Sequence, residues 1–388
     1  MTVHPDQAQP DQSTADQSTA RQAPDGLPPI KIIQIGAGAM GRGWLRTVRA
    51  NPDIELVGLV DLDVDLAARA AAESGHAGVP VADSLAALLP SVSADALINV
   101  TIPEAHASTT QQALFAGLPV LCEKPIAPTV ATGLAMAAAS EASGRLLMIS
   151  QSRRYFNGFT QLRQMVGDLG RIGTVTCEFF KAPHFGGFRD AMDHPLLVDM
   201  AIHTFDAARA LLNSNPVSVY CDAYNPSWSW YAGDAAANAI FTFADGVRFG
   251  YHGSWCAPGQ ETSWNGTWRV SAENGTAGWD GDHEPTVERI DDPAAKVPPS
   301  PEAPEQIAGS LAEFVGHLRA GTVPQTRAAA NVLSLAMVEA AVRSAAEQRP
   351  VLIADVINDA YRQALADDHD DRVRQVLQSW DVLEVVGL

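Results

Sequence analysis

The fold is decided by one stretch near the start of the chain, Ile30-Lys-Ile-Ile-Gln-Ile-Gly-Ala-Gly-Ala-Met-Gly41. Its first half is typical of a buried strand, and its second half is a Gly-x-Gly-x-x-Gly motif that leads directly into a helical run. In this context the first glycine permits a tight turn, the second admits a pyrophosphate, and the third allows the helix to pack closely on the strand. The phosphates then lie at the helix N-terminus. The predicted contacts are Gly36, Gly38, Ala39, Met40 and Gly41.

A carboxylate follows the second predicted strand, residues 55–60, at Asp61, twenty residues after Gly41. A carboxylate at this position accepts hydrogen bonds from the adenosine ribose hydroxyls. It would repel a 2′-phosphate, and the following Leu62-Asp-Val-Asp65 offers no Arg or Lys to bind one. The sequence therefore predicts a dinucleotide site that binds NAD rather than NADP.

Short apolar runs alternate with Ala-rich helical runs over residues 30–150, which is typical of βαβ units and a parallel sheet. After residue 151 several strand-like runs follow one another without helices between them, which favours a mixed, largely antiparallel open sheet. The predicted fold is an α/β Rossmann domain, with a doubly wound parallel sheet, followed by an α+β domain. The predicted strands are residues 30–35, 55–60, 96–100, 119–122 and 146–150, then 174–181, 217–223, 236–243, 247–254 and 267–272.

The 388 residues suit two domains with a cleft between them. Residues 1–29 are polar and Pro-rich, and we expect a disordered tail. We predict a NAD-binding domain over 30–150 and a substrate-binding and oligomerisation domain over 151–354. Helices are predicted at about 159–166, 197–212, 304–320 and 328–347, and an acidic helical extension of unassigned role at 355–388.

Composition narrows the function further. The formal net charge of −19 disfavours nucleic acid and anionic membranes as partners. We find no signal peptide pattern and expect no stretch long and apolar enough to span a bilayer. The cysteines are scattered without a Cys-x-x-Cys pair, and no ligand spacing indicates a metal, so we expect no metal and a reducing cytoplasm. The cysteines are Cys122, Cys177, Cys221 and Cys256.

Two later patterns complete a resemblance. They are Cys122-Glu-Lys-Pro125 and Asp199-Met-Ala-Ile-His203, the latter followed by Asp206. With the glycine motif, the stretch from Asp95 to Thr101 and the Arg153-Arg154 pair, they resemble the Gfo/Idh/MocA oxidoreductase family from about residue 30 to 351. The tail and the C-terminal extension lie outside the resemblance.

The resemblance implies an NAD-dependent sugar or polyol dehydrogenase in which Lys124 and His203 face the substrate carbon. It also implies a homodimer or homotetramer formed through the second-domain sheet. Further cofactor contacts are expected at Thr101, Pro103, His106, Glu123, Lys124 and Arg154.

The oxidation of an alcohol requires the same kinds of side chain. Oxidation of a secondary alcohol needs a base beside the hydroxyl, with a pKa near the working pH. His203 is near that range, and a desolvated lysine reaches it. Asp199 and His203 are four residues apart, hence on one helical face, so the carboxylate either holds a substrate hydroxyl or orients the imidazole. Either His203 is the base and Lys124 polarises the oxygen, or the roles are reversed.

The sequence constrains the chemical identity of the substrate less than that of the cofactor. Many family members carry glycines before the Asp-x-x-x-His pattern, whereas this chain has Met192-Asp-His-Pro195. Positive groups gather between the domains, which suits an anionic sugar. The second domain also holds six tryptophans, which either stack on sugar or form an interface. The candidate substrate residues are Arg153, Tyr155, His184, Arg189, His194, Asp199 and His203, with Lys181 nearby; the tryptophans are Trp228, Trp230, Trp255, Trp264, Trp268 and Trp279.

Three functions remain open at this stage. The first is a dehydrogenase that releases a keto sugar and NADH. The second is a redox-neutral glycoside hydrolase that works by oxidation, elimination, water addition and reduction. The third, disfavoured by the intact Lys124 and His203 pair, is a non-catalytic NAD-binding sensor.

Overall fold

A computed structural model describes residues 26–367 and 370–388. Most of the predicted disordered tail, residues 1–25, lies outside the described residues, and residues 26–29 form no regular element. Two sheets, each with its own helices, organise the rest, so the predicted fold class is confirmed. The domain borders at residues 150 and 354 stay predictions.

The first sheet has six parallel strands in the order β3-β2-β1-β4-β5-β6. Its strand order reverses between β1 and β4, the point where doubly wound sheets bind their ligands. The predicted strands of this half agree with the observed ones to within one residue, and the short β3 was not predicted. The strands are β1 (Ile30–Ile35), β2 (Ile54–Val60), β3 (Val81–Ala82), β4 (Ala96–Asn99), β5 (Val120–Glu123) and β6 (Leu147–Ser150).

Helices cover both faces of this sheet. Asp63 caps the second helix by accepting a hydrogen bond from the Leu66 amide at 2.9 Å, and Thr129 caps the fifth in the same way. The fifth helix ends at Gly144, which adopts the left-handed conformation that favours glycine. The helices are α1 (Ala39–Ala50), α2 (Val64–Glu73), α3 (Leu85–Leu88), α4 (Pro103–Phe115) and α5 (Val130–Ser143).

The second sheet has eight strands in the order β13-β12-β11-β7-β10-β9-β8-β14. Only the β7 and β10 pair is parallel. The strands are β7 (Ile172–Phe180), β8 (Pro216–Tyr224), β9 (Ala236–Phe243), β10 (Arg248–Ser254), β11 (Thr267–Ala272), β12 (Gly275–Trp279), β13 (Thr286–Arg289) and β14 (Val351–Leu352).

Three strands of the second sheet were not predicted. Strand β12 is Gly-Thr-Ala-Gly-Trp, which lacks the β-branched alternation that marks a strand. Strand β14 has two residues and exists because Val351 and Leu352 pair with β8. Strand β13 is an exposed edge strand beside β12. Pairing partners remote in sequence, rather than local propensity, form these strands.

Helices pack on one face of the second sheet and cover its apolar side chains. Phe205 of α7 contacts the ring of Phe241 with centroids 4.7 Å apart, and also packs edge-on against Tyr251. A π-helical turn, Leu196–Ala201, precedes α7 directly. The helices of this half are α6 (Asn157–Gly167), α7 (Ile202–Leu212), α8 (Gln306–Ala320) and α9 (Ala328–Glu347).

One sequence expectation about membranes was wrong. Helix α9 has 20 residues and is apolar enough to cross a bilayer by length and composition. In the structure 67% of its apolar window is buried inside the protein, where it packs between α5 and strand β8. The burial of α9 is typical of a core helix.

The C-terminal extension is helical, as predicted, and it contacts both halves of the molecule. Trp380 donates from Nε1 to Glu141 on α5 at 3.0 Å, and Asn215, just before β8, donates to the Gly387 carbonyl. The extension therefore packs across the junction between the two sheets. Its helices are α10 (Ile353–Ala366), α11 (Asp371–Ser379) and α12 (Val382–Val386).

Candidate active site

The glycine loop between β1 and α1 is shaped to admit a pyrophosphate. Gly36 has a φ of 101°, and a Cβ at this position would collide with the Val100 carbonyl. A Cβ at Gly41 would collide in turn with the Gly36 carbonyl, whereas Gly38 faces open space. The neighbouring Ala39 and Met40 are exposed. The loop therefore fits a dinucleotide at the N-terminus of α1, as the motif predicts.

Asp61 follows β2 and braces this loop. Its Oδ2 accepts a hydrogen bond from the Ala37 amide at 2.8 Å, and its Oδ1 accepts one from the Asp63 amide at 3.1 Å. Carboxylate oxygens have several acceptor positions, so both retain capacity for ribose hydroxyls. The carboxylate is half-buried beside the glycine loop, where the sequence places it.

Two residues of this region were missed by sequence reasoning. Leu62 is 92% exposed after β2, and Ile102 is 66% exposed after β4. These strands flank β1 on either side, so the two apolar side chains stand at the edge where the adenine end of a dinucleotide would lie. The signal that could have identified these two residues is a large apolar side chain within three residues of a strand end.

The segment after β4 is fixed by Asn99. Its Oδ1 accepts hydrogen bonds from the amide and the hydroxyl of Thr101, at 3.1 and 2.8 Å. Pro103 begins α4. The cofactor contact predicted for His106 stays a prediction: the imidazole is buried, and its nitrogens lie 2.8 Å from the Pro125 carbonyl and 3.0 Å from that of Thr101. His106 therefore connects the segment that contains Thr101 to the loop that contains Pro125.

The cofactor contact predicted for Glu123 also stays a prediction, and the structure gives this residue partners within the protein. Its carboxylate is buried and accepts hydrogen bonds from Trp44 Nε1 at 2.7 Å and from the Lys124 amide at 3.0 Å. Burial raises the pKa of Glu123, and the hydrogen bond from Trp44 and the charge of Lys124 oppose that effect. Glu123 therefore anchors the loop that carries Lys124.

Lys124 reaches across the cleft to Asp199. Its Nζ donates to the Asp199 carbonyl at 3.1 Å and lies 3.5 Å from Oδ1 of the same residue. Arg189 donates from Nε to the other carboxylate oxygen at 2.5 Å. Burial favours a raised pKa for Asp199, but the two cations outweigh it and lower that pKa. Asp199 is therefore a carboxylate shared by two cations.

The geometry expected between Asp199 and His203 is contradicted in part. Asp199 lies in the π-helical turn rather than in a regular α-helix, and its carboxylate is paired with Lys124 and Arg189 rather than with the imidazole. His203 Nδ1 is buried without a hydrogen-bond partner in the described structure. Asp199 thus does not orient the imidazole. Such turns are frequent at functional sites.

His203 is 9% exposed at the floor of the cleft. Burial lowers its pKa well below the usual range, and the positive charges of Lys124 and Arg153 lower it further. The imidazole is therefore neutral at neutral pH, the state in which it accepts a proton. Lys124, from the first sheet, thus forms an ion pair with Asp199 and acts through its charge on His203, and both of these residues belong to the second half of the chain.

Arg154 and Tyr155 are held by contacts within the protein. Arg154 makes two hydrogen bonds to Asp206, at 2.6 and 2.7 Å, and the pair is buried. Tyr155 packs in the core cluster that contains Trp44, next to helix α8. The structure thus gives both residues structural contacts, and the predicted cofactor contact of Arg154 and substrate contact of Tyr155 stay predictions.

The other positive candidates already have partners. Lys181 pairs with Glu261 at 3.0 Å, and Arg189 with Asp199, as above. His194 lies 3.4 Å from Asp234 without hydrogen-bond geometry. His184 stacks on Trp230 with ring centroids 3.7 Å apart. Arg153 instead donates to the Asn265 amide oxygen at 2.8 Å, and Asn265 is a neighbour that sequence reasoning missed.

The six tryptophans divide into two groups. Trp255, Trp268 and Trp279 are buried core residues, which corrects the idea that all six are candidates for sugar stacking. The other three are less buried: Trp230 and Trp264 are half-buried, the latter beside the ring of Phe185. Trp228 is the most exposed of them, and it donates to the Cys256 carbonyl at 2.8 Å.

Among the described residues, the cysteines and the potential metal ligands form no disulfide and no metal site. The four cysteines are buried free thiols. Within residues 26–367 and 370–388, His, Cys, Asp and Glu side chains form no group of three suited to a metal ion.

Comparison with known proteins identifies the class. Residues 30–151 match the model of an oxidoreductase family with an NAD-binding Rossmann fold, Gfo/Idh/MocA. Residues 159–278 match the Gfo/Idh/MocA C-terminal domain. The chain belongs to the Gfo/Idh/MocA family and is an NAD-binding oxidoreductase that acts on a small molecule, as the resemblance in the sequence implied.

Individual relatives support this membership. D-apiose dehydrogenase of Paraburkholderia graminis is 30% identical over 82% of this chain and 88% of its own length. Inositol 2-dehydrogenase 3 of Saccharopolyspora erythraea is 31% identical over 49% of this chain and 55% of its own length. An Agrobacterium radiobacter oxidoreductase, solved in complex with NAD+, L-tartaric acid and magnesium, shares the fold with a TM-score of 0.73 and 19% identity, over 84% of this chain and 99% of its own.

Proposed function

We propose that the protein is an NAD-dependent dehydrogenase that oxidises a secondary hydroxyl of a sugar or polyol. The observation that carries the proposal is the convergence of Lys124, from the first sheet, with Asp199 and His203, from the second half of the chain. This constellation offers a proton acceptor, a cation for the substrate oxygen and a carboxylate that accepts hydrogen bonds from hydroxyls.

NAD bound at the glycine loop supplies the acceptor for the hydride that leaves the carbinol carbon. The hydroxyl proton goes to His203, whose imidazole is neutral and able to accept it. Because burial and two neighbouring cations lower the pKa of His203, the transfer depends on a cation that stabilises the negative charge left on the substrate oxygen. The ammonium of Lys124 lies at a carboxylate and a carbonyl, so it serves to stabilise negative charge on the substrate oxygen. The pairing of Lys124 with Asp199 favours Lys124 as the cation and His203 as the base over the reverse assignment.

The sugar or polyol class is supported by two relatives, a D-apiose dehydrogenase and an inositol 2-dehydrogenase. An anionic sugar has narrower support. Lys181, Arg154 and Arg189 are paired with carboxylates of the chain itself, which leaves Arg153 as the remaining arginine candidate for a substrate anion. We therefore propose that neutral polyols are accepted and that any preference for acidic sugars depends on Arg153.

The decisive test is incubation of the purified protein with NAD and neutral or acidic sugars, offered free and as aryl glycosides. NADH absorbance and aglycone release are followed in the same wells. Stoichiometric NADH from a free sugar is the expected result, and it identifies the substrate.

Two outcomes would overturn the proposal. NAD-dependent aglycone release without net NADH would make the protein a redox-neutral glycoside hydrolase that uses the same residues. Sugar-dependent NAD binding without turnover across the panel would make it a sensor.

We also propose a homodimer or homotetramer formed through the uncovered face of the second sheet. This face carries large exposed side chains at Tyr220 and Tyr224 of β8 and at Ile240 of β9, and tyrosine is enriched at interfaces. Light scattering should give a mass of two or four chains, and Ile240→Glu should lower it. A wild-type monomer would contradict this assembly.

We propose the cytoplasm as the place of action, since the four cysteines remain buried thiols and thiols persist in reducing compartments. Cell fractionation with antibody detection tests this, and recovery in an oxidising compartment would contradict it.

A further inference from the structure

A small cavity lies directly against His203, on the second-domain side of the cleft. It has room for about one water molecule. Its polar lining is His203, Thr204, Arg153 and Asn265, and its apolar lining includes Trp264, Trp268 and Trp279. The imidazole of His203 and the guanidinium of Arg153 therefore line one cavity whose other walls are largely apolar.

Arg153 is fixed in this enclosure. Its guanidinium donates to Asn265 Oδ1 at 2.8 Å and lies 5.8 Å from the ring centroid of Phe156. Asn265 is itself held, because its amide donates to the Gly281 carbonyl at 2.7 Å. Arg153 Nε is buried without a partner, and in the described ranges no carboxylate forms an ion pair with this guanidinium. Asp282 acts on it only through its charge.

The two residues that line this cavity each have a buried side-chain nitrogen without a hydrogen-bond partner. His203 Nδ1 is buried without a partner, as is Arg153 Nε. A buried polar atom without a partner is costly, so a core that keeps two of them beside one cavity calls for a functional reason.

We propose that Arg153 is a positioning residue for His203: its fixed positive charge, facing the imidazole across the shared cavity, holds His203 in the neutral form that accepts the substrate proton. A cation disfavours a second positive charge nearby, most strongly where apolar walls exclude solvent. This inference rests on the proposed role of His203 as the base.

The other charges around His203 do not replace Arg153. Lys124 faces the imidazole from the cleft side and acts in the same direction. Asp199 and Asp206 are each paired with an arginine, and Asp282 acts through its charge on Arg153, so none of these carboxylates counts among the charges that act on His203. The charged and titratable groups on the surrounding elements are Asp199 with Arg189, Asp206 with Arg154, Asp282 beside Arg153, and the buried thiol of Cys177 on β7.

The first test needs no substrate. Histidine-labelled protein is titrated by NMR, and the His203 signals are assigned by their loss in His203→Asn. In Arg153→Gln the protonated fraction of His203 at a given acidic pH should rise on the order of tenfold, the effect of removing a like charge a few ångströms away. Arg153→Lys should restore wild-type behaviour, and Arg171→Gln, which changes an exposed arginine far from the cavity, should leave it unchanged.

Arg153→Met, which keeps the apolar stem, replaces Arg153→Gln if that variant does not fold. An unchanged His203 titration in a folded neutral variant would overturn the proposal. An equal upward shift in Arg153→Lys would also overturn it, because packing rather than charge would then be responsible.

The second test uses turnover. In Arg153→Gln the acidic limb of kcat/KM should move to higher pH, while the alkaline plateau changes less. An unmoved limb combined with a shifted NMR titration would show that Arg153 tunes His203 as proposed but that His203 is not the base. Failure of the proposed function is thus distinguished from failure of this inference.

Discussion

Lys124 and Asp199 meet across the cleft, with Lys124 Nζ at 3.1 Å from the Asp199 carbonyl and 3.5 Å from its carboxylate. Lys124 follows β5 of the first sheet, and Asp199 lies in the π-helical turn of the second half. The contact therefore joins the two halves of the molecule through a pair of opposite charges at the candidate active site. It also assigns Asp199 to the lysine and to Arg189 rather than to His203.

Replacement of this lysine separates chemistry from cofactor binding. In Lys124→Met we expect kcat to fall by about 10²- to 10⁴-fold, because the cation that stabilises the substrate oxygen is lost. NAD affinity, measured by calorimetry, should change little. Lys296→Met, which alters an exposed loop lysine, is the control and should keep wild-type turnover. Full activity in Lys124→Met would refute the assignment.

Asp61 should determine the choice of cofactor. Asp61→Asn removes the negative charge that repels a 2′-phosphate and weakens the brace on the Ala37 amide. We expect NAD affinity to fall by about tenfold, a loss of roughly 1.4 kcal/mol, and discrimination against NADP to narrow. Binding curves for both cofactors measure this. Asp65→Asn, an exposed change in α2, should leave the ratio as it is, and an equal ratio in both variants would contradict the role of Asp61.

The hydrogen bond from Trp44 to Glu123 should matter for stability. Trp44→Phe leaves a buried carboxylate oxygen without its 2.7 Å donor, and we expect the free energy of unfolding to drop by about 1–3 kcal/mol. Urea denaturation measures the loss. Adding Glu123→Gln to this variant should recover part of it, because a neutral amide is easier to bury than a charge. Equal stability of Trp44→Phe and the wild type would show that the bond contributes nothing.

His203 should make stability depend on pH. Its pKa in the folded protein is lowered by burial, so an unfolded chain binds a proton near pH 6.5, where the folded protein does not. The free energy of unfolding should therefore fall as pH drops below about 6.5, by at most about 1.4 kcal/mol per pH unit for this one group.

Urea denaturation between pH 5 and 8 tests the dependence. His203→Asn should flatten the curve, whereas His252→Gln, a change on the exposed face of β10, should not. A wild-type curve parallel to that of His203→Asn would contradict the contribution of this imidazole.

Much of the fold followed from local sequence patterns. The strand, glycine motif and helix at residues 30–50 specify a βαβ unit by themselves, because alternation and turn chemistry are properties of neighbouring residues. The same holds for Asp61, since a residue that directly follows a parallel strand lies at the ligand-binding edge of the sheet. Strands made of small residues, such as Gly275–Trp279, left no such local signal.

The sequence alone determined the Rossmann fold, the NAD loop, the family and the three residues Lys124, Asp199 and His203. Only the tertiary structure decided which groups are free to act. Glu123 is bound to Trp44, 79 residues away, and Arg154 to Asp206, 52 residues away, whereas Arg153 is left facing His203. The physical reason is that periodicity is read along the chain, but hydrogen-bond partners and burial arise only when distant segments pack together.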